Sequence, residues 1–185
     1  LTSFNTKNVS NMANMFSGCK NLVNVNFNNF NTENIINCNS MFYDCEKLTS
    51  LDLSTFQTNK VYNMSSMFYN CKNLEKLDIS SFKTPNVFNL DSLFYNCEKL
   101  TNIDLSGFEY KEVSNLSCLF YGCKNLESID LSTLNSKNLR NITDIFAGCE
   151  KLKTLKIKKY YYEMFKKIEP KIIEELTNKN VEIIN

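Results

Sequence analysis

Four aspartates, Asp52, Asp78, Asp104 and Asp130, recur at an interval of 26 residues. Two residues after each stands a serine: Ser54, Ser80, Ser106 and Ser132. Carboxylates set in a column at strand spacing repel one another, so their pKa values are expected to rise. Such a column suits a cation or a basic protein surface. It equally suits a structural ladder in which each carboxylate accepts local backbone or serine hydrogen bonds. The chain contains no histidine, and no Cys or Lys base is placed to make these serines nucleophiles.

A second column is aromatic. Tyr43, Tyr69, Tyr95 and Tyr121 keep the same interval, each following a phenylalanine. Tyrosine buries area while keeping a polar tip, which favours it at recognition surfaces. A tyrosine strip suits a peptide or sugar rings; the plainer reading is that the rings pack on one another and cover the junctions between repeats.

The third column is sulfur. Cys19, Cys45, Cys71, Cys97, Cys123 and Cys149 are spaced by 26, with Cys38 and Cys118 outside the series. Eight cysteines invite a disulfide framework. The spacing argues for inert thiols in a core column, because cysteine packs as a small hydrophobe. Neighbouring units at strand spacing, about 4.8 Å, would bring the Cα atoms to the short limit for a bridge. Zinc ligands come in clusters such as C-x₂-C, which are absent, so no metal is expected. Cys118 shares its column with Asn14, Ser40, Ser66, Ser92 and Asp144, so it is the one thiol expected to be accessible. Phosphate-binding loops and dinucleotide fingerprints are absent, so neither cofactor nor enzymatic activity is expected.

The elements that position these columns follow from the period. Phe16 to Phe146 and Leu22 to Leu152 keep the same interval. Self-similarity at 20–50 residues marks a solenoid or propeller, here an elongated array whose units contact their neighbours. In Leu48–Asn73, the run Leu51-Asp52-Leu53 alternates as a short strand with leucines inward and aspartate outward. Repetition every 26 residues builds a parallel sheet on one face. The return path carries Val61, Met64, Met67, Phe68 and Cys71, read as a short extended piece and then a helical turn. Asn11, Asn37, Asn63, Asn89, Asn115 and Asn141 recur in all six units. They are expected to be buried amides bonding the turns of adjacent units. Alternating Lys20, Glu46, Lys72, Glu98, Lys124 and Glu150 place opposite charges on neighbours.

The 185 residues carry a formal net charge of +1, which excludes a bulk pull toward nucleic acid or a membrane. Residues 1–150 hold 12 basic and 15 acidic side chains, and residues 151–185 hold 9 and 5. No apolar run is long enough to span a bilayer. Leu1-Thr2-Ser3-Phe4 matches Leu53-Ser54-Thr55-Phe56, inside a repeat, so the chain is expected to be cut from a longer repeat protein. After Ile157 the pattern stops. Lys159 to Leu176 reads as a helix broken by Pro170, and Val181 to Ile184 as a last strand. The expected domains are an array over 1–158 and a C-terminal cap over 159–185.

The string from Val61 to Phe82, V-x-N-M-x-x-M-F-x-x-C-x-x-L-x-x-L-D-I-S-x-F, resembles the BspA-type leucine-rich repeat. That repeat is also known as a domain of unknown function from mycoplasma surface proteins. The resemblance covers about residues 1–160. Departures are Cys38 at a Met/Leu position, and Leu134 and Tyr160 in the Phe column. It implies an α/β leucine-rich-repeat solenoid of about six right-handed 26-residue coils on a secreted or cell-surface protein. It also implies recognition or adhesion through a protein partner, such as a host protein. Alternatives from the residues are a carbohydrate-binding strip, a structural spacer in a larger surface protein, or an intracellular scaffold, which free thiols suit.

Overall fold

The computed structural model describes residues 5–168, 170, 171, 174 and 180–185. Its elements are β1 (Ser50–Asp52), β2 (Lys76–Asp78), β3 (Ser128–Leu131), β4 (Thr154–Lys158), α1 (Lys159–Ile168) and β5 (Asn180–Ile184). The strands form two sheets, β1-β2 and β3-β4-β5, and every pairing is parallel. Register advances by one repeat: Leu51 faces Leu77, Ile129 faces Leu155, and Leu155 faces Val181. Within β1 and β3 the alternation is as expected, with Leu51 and Ile129 buried and the flanking Asp52 and Asp130 exposed.

The strand ladder is not continuous. Asn102 to Asp104, the equivalent of β2 in the next unit, forms no strand. No backbone hydrogen bond joins these residues to β2 or β3; the nearest link is the Glu127 N–H to the Thr101 carbonyl at 3.0 Å. Leu77 and Ile103 are accordingly only partly buried. Asn24 to Asn26, ahead of β1, also lacks strand structure.

The return path carries the continuous ladder instead. Met64, Ser66, Phe68 and Asn70 donate their N–H groups to the next unit at Asn89, Asp91, Leu93 and Tyr95, at 2.7–3.2 Å. The intervening Met67, Tyr69 and Cys71 donate back three residues, at 3.1–3.3 Å. This is a chain of turns, not the expected helical turn. Two left-handed residues per unit make it possible. One column is Asn14, Ser40, Ser66, Ser92, Cys118 and Asp144; the other is Gly18, Asp44, Asn70, Asn96, Gly122 and Gly148. Apart from the cysteine, these are glycines or short polar residues, and glycine, Asn and Asp are the types that tolerate positive φ. The Asn11–Asn141 column sits at the head of this path as a row of parallel bridges. Its side chains are not buried amides reaching across. Beyond exposed Asn11 they are half-buried. Each Oδ1 accepts the N–H two residues ahead in its own unit, as Asn63 does from Ser65 at 2.9 Å.

Inside, the columns pack against themselves. The rings of Phe16, Phe42, Phe68, Phe94, Phe120 and Phe146 stack at 5.5–6.1 Å. A buried threonine column runs beside them, formed by Thr6, Thr32, Thr58 and Thr84. The Thr58 hydroxyl donates to the Lys83 carbonyl at 2.7 Å and accepts its N–H at 2.8 Å, which clamps one unit to the next. In the fifth position stands Tyr110, fully buried, with a hydroxyl that finds no partner. Ser136 then resumes the column and donates to the Val113 carbonyl at 2.6 Å.

In the Phe column Leu134 is buried, whereas Tyr160 turns out to 70 % exposure. Tyr161 takes the inner place and donates to the Ser136 carbonyl at 2.8 Å. With Phe165 it forms the buried stripe of α1. β5 pairs with β4, and Lys156 meets Glu182 across them at 3.5 Å. The helix expected to run to Leu176 is described as α1 only to Ile168. Much of its remainder, like Leu1–Phe4, lies outside the described residues.

Candidate functional site

The strand face separates the four aspartates. Asp52 and Asp78 sit opposite each other across β1 and β2. Asp104 lies on the unpaired segment. Asp130 belongs to the second sheet, facing Lys156. All four carboxylates are exposed and close a local turn onto their own serines. The Ser54 N–H and Oγ–H reach Asp52 Oδ1 at 2.9 and 2.6 Å. The corresponding distances at Asp78 are 3.0 and 2.7 Å from Ser80. Ser106 and Ser132 donate their N–H groups to Asp104 and Asp130, both at 2.8 Å. Asn26 makes the same turn with Asn28 at 2.8 Å, so the turn does not require the charge.

These bonds reverse the expected titration. The Ser54 hydroxyl, then its N–H, hold Asp52 below the usual carboxylate value. The Ser106 N–H, then its hydroxyl, do the same for Asp104. Donors to the charged form decide these two values, because the side chains are open to water, which screens repulsion between neighbouring carboxylates. Each of these bonds ends on Oδ1. Above Asp52, Asp78 and Asp104 lies a shallow groove of about 670 Å³ that also takes in Glu75, Lys76 and Ser80. It sits where the strand ladder is interrupted.

The tyrosines form a separate strip. Tyr43, Tyr69, Tyr95 and Tyr121 stack at 4.5, 4.3 and 4.6 Å and are half-buried. Both faces of Tyr69 and Tyr95 are therefore taken by neighbouring rings. Burial raises the Tyr69 phenol to about 12 and raises Tyr95 as well. Among the described residues no hydrogen bond or ring contact joins this strip to these four aspartates.

The sulfur column is core from Cys45 onward. Cys45, Cys71, Cys97, Cys123 and Cys149 are buried, and each Sγ–H donates to the phenylalanine carbonyl 29 residues earlier at 3.0–3.2 Å. Cys19 departs from expectation: it is exposed, because it lies on the outer side of the first described unit. Cys118 is half-exposed, and burial raises its thiol. No disulfide joins any of the eight cysteines. Among the described residues no group of three or more Cys, Asp or Glu is arranged to hold a metal. No described helix is long and apolar enough to cross a membrane.

Two surface features were not anticipated. Lys76 and Glu75 line the groove as much as the aspartates do. Ile36, Tyr62 and Phe88 form an exposed apolar column just ahead of the asparagines, with the Tyr62 and Phe88 rings 6.0 Å apart. The available signal was apolar residues at positions held elsewhere by Ser10, Ser114 and Arg140.

Comparison with known proteins gives one family. A profile described as Mycoplasma protein of unknown function, DUF285, matches residues 1–100 and again 51–160. No curated protein and no solved structure matches the chain.

Proposed function

This chain belongs to the DUF285 family of Mycoplasma proteins of unknown function, and on that premise we propose that it is a non-enzymatic recognition module for a protein partner. We read residues 1–158 as BspA-type leucine-rich repeats wound into a solenoid and residues 159–185 as its cap. The setting is a cell surface, with a host or neighbouring-cell protein as partner. The observation that supports this most is the groove over Asp52, Asp78 and Asp104. Its carboxylates are water-facing, each accepts its serine's N–H at Oδ1, and serine donors hold Asp52 and Asp104 below the usual carboxylate value. Pre-oriented acceptors of this kind suit a basic protein surface, through charge-assisted hydrogen bonds.

The Tyr column fits a supporting role better than sugar stacking, since its inner faces are already occupied. Replacing Asp78 and Asp104 together by lysine tests the site. Solubilised host-surface proteins are passed over immobilised native and variant chains of matched circular dichroism. A partner held by the native chain and lost by the variant supports the reading. Equal capture by both removes the groove from the interaction. Capture of nothing by the native chain leaves the spacer reading in its place.

A further inference from the structure

One ladder on the return side runs through Ile36, Tyr62, Phe88, Ser114 and Arg140. Each of the last four donates its N–H to the carbonyl of the residue before it, at 2.9–3.0 Å. The rungs are therefore consecutive, about 4.8 Å apart by strand geometry. Ile36, Tyr62 and Phe88 are 40–44 % exposed. The Tyr62 and Phe88 rings lie parallel within 4° at 6.0 Å. The face of Phe88 turned away from Tyr62 thus looks along the ladder, toward the rung of Ser114.

That rung carries no ring. The Ser114 hydroxyl is folded back onto the backbone and donates to the Phe88 carbonyl at 3.2 Å. On the next rung stands Arg140, the one arginine of the chain. It is exposed, and among the described residues its guanidinium enters no ion pair. The carboxylate of the flanking column, Glu112, is already engaged by Lys111 at 3.8 Å and by the Asn138 amide at 3.4 Å. The column therefore reads ring, ring, gap, cation. Elsewhere in the array, aromatic side chains one rung apart stack at 4.3–6.3 Å between centroids. A ring seated on the Ser114 rung would stand at such a distance from Phe88, which suits an aromatic pair. Arg140, one rung further, would cover its other face within about 6 Å, the reach of a cation–π contact.

We propose that the gap between Phe88 and Arg140 is a docking point for an aromatic side chain of a protein partner, carried beside an acidic residue that pairs with Arg140. The ring is called for by the missing member of an otherwise continuous stack. The carboxylate is called for by Arg140, whose planar fork matches it bidentately. Lys111 and Lys137, each three residues ahead of a rung residue, oppose a basic segment here. The surface shares no residue with the groove over the aspartates, whose preference is the opposite one. It stands or falls separately from that groove.

The test is an NMR titration of the full chain with a capped peptide, Ser-Asp-Phe-Asp-Ser, taken to millimolar concentration. The expected result is a saturable shift of the Ser114 and Arg140 amide signals. Its dissociation constant should rise about fivefold when the peptide's phenylalanine becomes alanine or its aspartates become lysines. On the protein side, Ser114→Phe fills the rung with the chain's own ring and should weaken the peptide to the same degree. Arg140→Ala should weaken it about threefold, both variants being matched to the native chain by circular dichroism. No shift at Ser114 and Arg140, or a shift that Ser114→Phe leaves unchanged, overturns the proposal. Signals at this rung that move with concentration of the native chain alone, and not with peptide, also overturn it, in favour of a second copy.

Discussion

Tyr110 offers a sharp test of how the interior is built. It occupies the position that Thr6, Thr32, Thr58 and Thr84 hold in other units, where a hydroxyl clamps the next unit's backbone. Its own hydroxyl is buried and unpaired, and burial, followed by the charge of Asp130, raises its pKa. An unsatisfied buried hydroxyl costs about 1–3 kcal/mol. Tyr110→Phe removes that oxygen and keeps the ring that packs 6.1 Å from Phe108. The substitution is therefore expected to stabilise the chain by about 1–3 kcal/mol. At roughly 2–4 °C per kcal/mol for a chain of this size, thermal unfolding should shift upward by several degrees. Urea unfolding followed by circular dichroism measures it, with an unchanged slope showing that the unfolded state is the same. Tyr110→Thr is the counter-case. It restores the column residue and a hydrogen bond worth about 1 kcal/mol, but leaves a ring-sized cavity costing about 3–5 kcal/mol, so it should destabilise. A Tyr110→Phe protein that loses 1 kcal/mol or more would refute the reasoning, because the hydroxyl would then have a partner worth keeping.

Thiol titration of the native fold should label Cys19 quickly and Cys118 slowly; rapid reaction of four or more would contradict the core sulfur column. Phe68→Ala, which opens a hole between rings 5.9 and 5.6 Å away, should cost about 3–5 kcal/mol in chemical denaturation. Gly122→Ala should cost 1 kcal/mol or more, since φ is +69° and its Cβ would meet Asn96 Oδ1 at 2.0 Å; a neutral outcome would remove the strain argument. The folded pKa values of Asp52 and Asp104 lie below the unfolded value near 3.9. Their contribution is thus present above that value and lost as pH falls through the depressed folded values. Ser54→Ala with Ser106→Ala should flatten the loss of stability below pH 4, and an acid profile identical to the native one would show that the serines do not set it.

The period of 26 made the parallel register, the inward leucines and the stacked phenylalanines legible from residue types alone, since each follows from one repeat unit seen several times. The alternation of Lys20, Glu46 and Lys72 likewise gave the observed ion pairs of 2.9 and 3.8 Å. The return path reads as helical in the sequence because Val61, Met64, Met67 and Phe68 have helical spacing. Left-handed residues at Ser66 and Asn70 produce the same inward stripe without a helix. Their signal was the run of Gly, Asp and Asn in the column of Asn70. The aspartates read as one ladder in the sequence because the same residue repeats, but identity at a repeat position does not make the strands continuous. Asp104 sits on a segment that pairs with neither neighbour. The threonine clamp is not legible in the sequence, because a buried hydroxyl and an exposed one look alike until the register is known.

The interruption at Asn102–Asp104 also bears on how the molecule would yield under load. Of the five repeat junctions laced along the turns, two are also laced along the strands, β1 with β2 and β3 with β4, whereas on both sides of Asn102–Asp104 only the turn seam holds. A pull along the array loads that level first on the strand side, where no rungs share the force. The array is then a beam with a built-in notch, bending toward or away from the groove that spans it. Such compliance lets the strand face change its curvature there while the turn ladder keeps the units in register.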